Sequence, residues 1–339
     1  MAPRFTICIP SYNRGHCALR QVLQTLPLIE PDWEILVLDN CSSDNLEGYR
    51  EIESLAKSEP KVRYVRHREN VGFARNILSC FTLANAPYIQ INSDEDFSNP
   101  SGVRDAVATL AEFPQVGLIR GSIGAVPGMR PRNSTRYPDQ FLDAGRFALS
   151  DFSLTTNYLS GIIYNKGLLV SLDIIRDFAF DVGSNDTMIA VYPHMYLDIL
   201  ISAVCKVITS SETVCFEGEE ASDRPDVQLT AAAFPYTFSG RLEQIIGFRD
   251  AFRKVCGPDG LSDLSLLIHL YLRLVQKYCS LFRIDGFLYT ARGLSLEALQ
   301  ESLTYFFIAA AEIDEFASVR NMVLEMVQER IQACLPRRI

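Results

Sequence analysis

At 339 residues, 48% hydrophobic and 22% charged, the chain has an ordinary globular composition. It is long enough for two domains, or for one large domain with an extension. A formal net charge of −9 argues against a bulk nucleic-acid binder and leaves any anionic ligand in need of a local basic site, a cation, or both. The nine cysteines form no CxxC pair and no zinc-type Cys/His spacing, a pattern that fits a reducing cytoplasm. The opening MAPRFTICIP runs straight into a strand with no leader pattern. No run of about 18 uninterrupted apolar residues suggests a membrane span; the nearest, 261–282, carries Asp263, His269, Arg273 and Lys277.

The first third predicts alternating strands and helices. Phe5–Ile9 is an apolar run that Pro10 should end, since proline cannot donate to a ladder. A helix over 17–26 follows, then a strand over 34–38 and a helix over 46–58 with Ser43 or Asp44 as its cap. A strand over 62–66, a helix over 73–84, a strand over 88–91, a helix over 102–113 and a strand over 116–119 complete the series. This order implies a parallel sheet with helices on both faces, which binds ligands at the carboxyl ends of its strands. Residues 122–140 read as a loop, and 161–164 as a strand. Residues 188–206 read mostly as a helix entered near Pro193, and the polar 217–226 as mobile. Beyond 240 the chain reads as helical: Leu264, Leu267, Ile268, Tyr271, Leu274 and Val275 follow amphipathic spacing, with further helices over 294–311 and 313–333.

Three polar clusters each follow a predicted strand: Pro10 to Arg14, Asp39 with Asn40, and Asp94-Glu95-Asp96. In a parallel sheet they converge at one edge. Crowded carboxylates repel and raise one another's pKa unless a cation joins them, and their oxygens are the ligands that Mg2+ or Mn2+ prefers. The plain alternative is a solvated acidic loop capping the helix near Pro100.

The blocks FTICIPSYNR, EILVLDNCSSD, ENVGFARN and INSDEDFSNP resemble glycosyltransferase family 2 in order and spacing. The likeness is strong over residues 5 to about 120, weaker to about 216 and absent beyond. It implies a GT-A fold: an α/β nucleotide-binding domain with a mostly parallel central sheet, here with a C-terminal helical extension. The implied division is a catalytic domain over 1–216 (donor half 1–120, acceptor half 121–216), a mobile linker over 217–239 and a helical region over 240–339. The SDED run and the later YPH segment look most like bacterial O-antigen or capsule transferases of the abequosyltransferase-like group.

Carried over by position, the resemblance puts Pro10 and Tyr12 in the base pocket and sets Asp39 against the nucleobase. Arg14 and Asn40 join the nucleotide-sugar site, and Arg75 lies near the base or diphosphate. Asp94, Glu95 and Asp96 hold the ribose and the metal; which of the three ligates is left open. The commonest register of this loop would put Ser93 where an aspartate is usual, and Glu95 is one methylene longer than the usual residue. The resemblance also implies inverting transfer, with a base, normally Asp or Glu, at the start of a late helix. Counting back from Lys206 lands on His194, whose imidazole can accept a proton at neutral pH. Asp198, one turn on, would orient it or act itself, and Asp186 is a third candidate.

The implied activity is sugar transfer from a nucleotide-diphosphate sugar to a hydroxyl of a saccharide or lipid-linked saccharide, in bacterial surface polysaccharide synthesis, with no nucleic-acid partner. A sugar-nucleotide pyrophosphorylase would need a Gly-rich basic loop after the first strand, and a dinucleotide oxidoreductase GxGxxG; CIPSYNR is neither. A catalytically degenerate nucleotide-sugar-binding protein is the non-enzymatic alternative. Arg130, Arg132 and Arg136 read as loop solvation or as a basic lid. The C-terminal helices are expected to pack on the core or form a homodimer, with peripheral contact at the inner face of the plasma membrane as the alternative.

Overall fold

The computed structural model describes residues 2–125, 135–153, 158–184, 186–218 and 238–260, with isolated positions between 308 and 325. Arg130, Arg132 and the helices expected over 264–282, 294–311 and 313–333 lie largely or wholly outside the described residues.

Strand β1 (Phe5–Ser11) is buried at every position, as is β2 (Trp33–Asp39). Continuous apolar runs of this kind suit strands covered on both faces. β1 pairs in parallel with β2 and with β4 (Tyr88–Ile91), and β2 pairs in parallel with β3 (Val62–Arg66). Pro10 does not end β1 but lies within it, opposite Leu38. The ladder to β4 stops at Cys8–Ile91, so the donor that Pro10 lacks falls past the end of that ladder.

Helices α1 (Gly15–Thr25) and α2 (Leu46–Ser58) cover one face of this half, and α3 (Phe73–Leu83) the other. Neither Ser43 nor Asp44 caps α2. Asn45 holds the N-cap position in the left-handed region (φ 50°), and the Asn13 side chain accepts from the Ser43 and Asp44 amides instead. The turns after β1 and β2 thus cap each other across the sheet edge.

The second half is mixed. Beyond the two-residue β5 (Phe97–Ser98), α4 (Pro100–Glu112) leads into β6 (Val116–Ala125). β6 runs six residues past its expected end, so 122–125 are strand rather than loop. β7 (Gln140–Leu142), α5 (Arg146–Asp151), β8 (Ile162–Tyr164), α6 (Lys166–Ser171) and α7 (Ile174–Val182) follow. The expected single helix is two: α8 (Thr187–Val191) and α9 (Pro193–Val204), broken at Tyr192 because Pro193 disfavours helical geometry in the residue before it. β9 (Lys206–Glu217) takes in Glu217 and pairs in parallel with β6.

The strand order is β3-β2-β1-β4-β8-β6-β9-β5, with β7 also on β9. β8 is antiparallel to both β4 and β6, an exception within the mostly parallel sheet that was expected. Its two faces carry separate cores. One lies under α1, α2 and α4; the other lies under α3 and α5 to α9, and is joined by Phe248, Ala251 and Phe252 of α10 (Phe238–Gly260) and by Ile313.

Candidate nucleotide-sugar site

The polar turns after β1, β2 and β4 meet at the carboxyl edge, and a close helix crossing sets their geometry. A Cβ on Gly15 would stand 2.3 Å from the Asn45 carbonyl oxygen, and one on Gly48 2.3 Å from the backbone of Gly15. Two glycines therefore let α1 and α2 touch backbone to backbone. That contact brings the Tyr49 hydroxyl to 2.6 Å from Ser11 Oγ and within reach of the Arg14 amide at 3.1 Å. Neither Ser11 nor Tyr49 stood out as a site residue in the sequence; Gly48 inside a helix was the available signal.

Ser11 Oγ donates to Asp94 Oδ2 at 2.7 Å. The Arg14 guanidinium bridges Asp94 Oδ1, at 2.8 Å, and Glu95 Oε2. Burial works against the Arg14 charge, but the two carboxylates more than offset it and hold the guanidinium above its ordinary range. Arg14, Asp94 and Glu95 thus form one compact ionic group at the strand ends.

Asp96 faces elsewhere. Its carboxylate accepts from Tyr158 Oη and Ser160 Oγ, each at 2.6 Å, and from the Gly218 amide at 3.0 Å. Burial pushes its pKa up to about 6 against the pull of these three donors. A Cβ on Gly218 would stand 1.7 Å from the Glu95 carbonyl oxygen, so only glycine lets the end of β9 close on this loop. Asp96 ties the acidic loop to the 158–160 segment and to β9.

Asp39 is fully buried, taking the Ser42 amide on one oxygen and the Tyr64 hydroxyl on the other, with Arg66 at 3.4 Å. Asn40 braces the third loop: its Oδ1 accepts from the Val71 amide and its Nδ2 donates to Asn70. Pro10 is buried in β1, and Tyr12 is exposed. Arg75 is exposed on α3 and lines a cleft of about 430 Å³ between α3 and α7, with His67, Gly183 and Val71, whose amide Asn40 holds.

The three base candidates lie on α8 and α9. Asp186 is the N-cap of α8, accepting from the Met188 and Ile189 amides, and Gly247 of α10 packs against it. His194 stands in the first turn of α9, buried, its ring edge-on to Tyr192. Asp198 is fully buried and paired with Arg120, whose guanidinium lies 4.6 Å over the Phe152 ring. Arg120 is in register with Ile162, two residues from the Ser160 that holds Asp96. β8 therefore lies between the strand that carries Arg120 and β4, which leads into the acidic loop.

Among the described residues no three His, Cys, Asp or Glu side chains converge as a ready-made metal cage. Asp94 and Glu95 nevertheless offer hard carboxylate oxygens already shared by one cation. That donor set fits Mg2+ or Mn2+, which commonly take one or two carboxylates plus substrate phosphates.

Residues 6–172 match the family Glycosyl transferase family 2. That stretch, just under half of the chain, is similar to a glycosyltransferase family 2 domain. The match runs from β1 through α6 and takes in the Ser11–Arg14–Asp94–Glu95 cluster. The chain is similar in fold to residues 1–349 of S. aureus TarS, solved in complex with UDP-GlcNAc: TM-score 0.56 and 15% identity, over 91% of this chain and 81% of that one. It is 27% identical over 101 residues to the putative colanic acid biosynthesis glycosyl transferase WcaA of Escherichia coli K12, 29% of this chain and 35% of that protein. It is 28% identical over 116 residues to the uncharacterized protein MT1568 of Mycobacterium tuberculosis, 34% and 35% of the two chains. The matched segments span between 13% and 35% of the curated relatives' own lengths. The α/β architecture of the family 2 domain is of GT-A type, with a mixed sheet of mostly parallel strands and helices in the C-terminal part.

Proposed function

We propose that the protein is an inverting glycosyltransferase. It moves a sugar from a nucleotide-diphosphate sugar to a hydroxyl of a saccharide or lipid-linked saccharide in bacterial surface polysaccharide synthesis, as an abequosyltransferase-like member of its family. The observation that carries this reading is the Arg14–Asp94–Glu95 group at the carboxyl edge, braced by Ser11 and Tyr49 inside the region that matches the family. Such an edge is where a sheet of this kind receives a nucleotide.

In this reading Tyr12 offers its exposed ring to the base beside Asp39 and Asn40. Arg14 meets the diphosphate, and Arg75 lies at the nucleotide's flank. Asp94 and Glu95 would hold Mg2+ or Mn2+, which when bound neutralises charge on the departing diphosphate. Asp96 acts by fixing the loop that carries them. His194, in the first turn of α9, takes the acceptor proton, with Asp186 and Asp198 as the other candidates. Residues 1–120 serve the donor and 121–216 the acceptor. Residues 217–239 link to a C-terminal region over 240–339 that packs on the core or self-associates.

A transfer assay with a panel of nucleotide sugars, with Mn2+ and with EDTA, tests the reading. Expected is turnover in Mn2+, loss of it in EDTA, and loss of it in Asp94→Asn with an unchanged melting temperature. Full turnover in EDTA would refute the metal-assisted mechanism. Nucleotide-sugar binding with no transfer or hydrolysis under any condition would favour a binding protein without catalysis.

A further inference from the structure

The acidic loop already holds a cation that belongs to the chain. One guanidinium spans both carboxylates named as ligands, and its side chain is only 12% exposed, so an ion entering between Asp94 and Glu95 has to displace it. The bridge also leaves a donor unused: Arg14 Nε is buried with no hydrogen-bond partner among the described residues. A buried donor without a partner is unfavourable, so the present pose is one that a better acceptor can draw Arg14 out of. A diphosphate is such an acceptor, because its oxygens match the planar fork of a guanidinium.

We propose that Arg14 is a resident counter-ion that keeps Asp94 and Glu95 closed to a divalent ion until a diphosphate draws it away, so that metal and nucleotide load together. The proposal rests on the glycosyltransferase reading for its diphosphate. Without a diphosphate, Arg14 and the metal compete for the same oxygens and the metal binds weakly. With one, the guanidinium gains phosphate partners and the carboxylates are freed. Two ligands that each favour the same Arg14 position assist one another reciprocally.

The competition is testable with Mn2+ alone, titrated into the full chain and followed by electron paramagnetic resonance of the free ion. Arg14→Gln should bind Mn2+ about tenfold tighter than the unaltered chain. Arg14→Lys, which keeps the charge but cannot fork across two carboxylates, should fall between them, and reports the effect if the Gln variant does not fold. Arg66→Gln removes a like charge from the same sheet edge without touching Asp94 or Glu95, and should change affinity less than about twofold. The proposal is overturned if both Arg14 variants bind Mn2+ no tighter than the unaltered chain, or if Arg66→Gln tightens binding as much as Arg14→Gln. The enzymatic reading fails by a different sign: no nucleoside diphosphate raises the melting temperature of the unaltered chain in Mn2+. The Mn2+ comparison still reports on Arg14 in that case.

Discussion

Strands β1 to β4 and strands β5 to β9 share one sheet but are joined differently. In the first half β1 passes through helix into its parallel neighbour β2, β2 into β3, and the chain then crosses by α3 to place β4 parallel on the other side of β1, so the polar turns after β1, β2 and β4 lie at the same edge. In the second half β9 alone pairs with β5, β6 and β7, partners between about 60 and 120 residues away in the chain, and β8 runs against both its neighbours. The charges also differ in setting. Arg14, Asp94 and Glu95 meet at the edge of the core, whereas Arg120 and Asp198 are almost wholly inside it. Substitutions at the edge should therefore change chemistry and spare the fold; substitutions under α9 should change the fold.

The largest effect expected tests the one group of the second half assigned to chemistry. His194→Ala should lower the transfer rate roughly 10²- to 10⁴-fold at unchanged donor affinity, measured by steady-state kinetics and donor titration. Near-normal turnover there, with an inactive Asp186→Asn, would move the base to Asp186. Next, Arg120→Met strands Asp198 in the core and should cost about 3–5 kcal/mol in denaturant unfolding. Arg120→Met with Asp198→Leu should recover most of that loss, since two apolar side chains leave no buried charge. A single variant as stable as the parent would show that the pair is not buried in solution.

Asp96 sits where the two halves meet, and sharpens the comparison. Asp96→Ala should destabilise by about 1–3 kcal/mol, because Tyr158, Ser160 and the Gly218 amide lose their acceptor. Asp94→Asn, two residues away, should leave the melting temperature nearly unchanged. The smallest effect is a pH slope. Asp96 has a folded pKa raised to about 6, so its contribution is greatest when protonated and is lost as pH rises from about 4 to about 6. Stability in EDTA should thus decline across that window relative to Asp96→Asn, by at most about 1.4 kcal/mol per pH unit. Parallel curves for the two chains would assign Asp96 an ordinary pKa.

Most of the first half is legible in local signals of the amino-acid sequence. Apolar runs such as FTICI and EILVL, helices of amphipathic spacing and turn residues at strand ends are local signals, and α2, β3 and β4 span the very residues they indicate. The convergence of Arg14, Asp39 and Asp94 at one edge was also legible, because parallel strands bring their carboxyl ends together. Which partners those side chains take depends on contacts far apart in the chain. Tyr49 reaches Ser11 through a backbone crossing of Gly15 and Gly48 that no periodicity encodes. Asp94 and Glu95 turn to Arg14 while Asp96, their immediate neighbour, turns to Tyr158, Ser160 and Gly218. The small helices α5 to α8 are too short for periodicity to stand out, and the inverted β8 depends on where the chain returns after β6. Arg120 reads in the sequence as one arginine in an apolar run; its burial is set by Asp198, which lies 78 residues further on and reaches it only when α9 packs on the sheet.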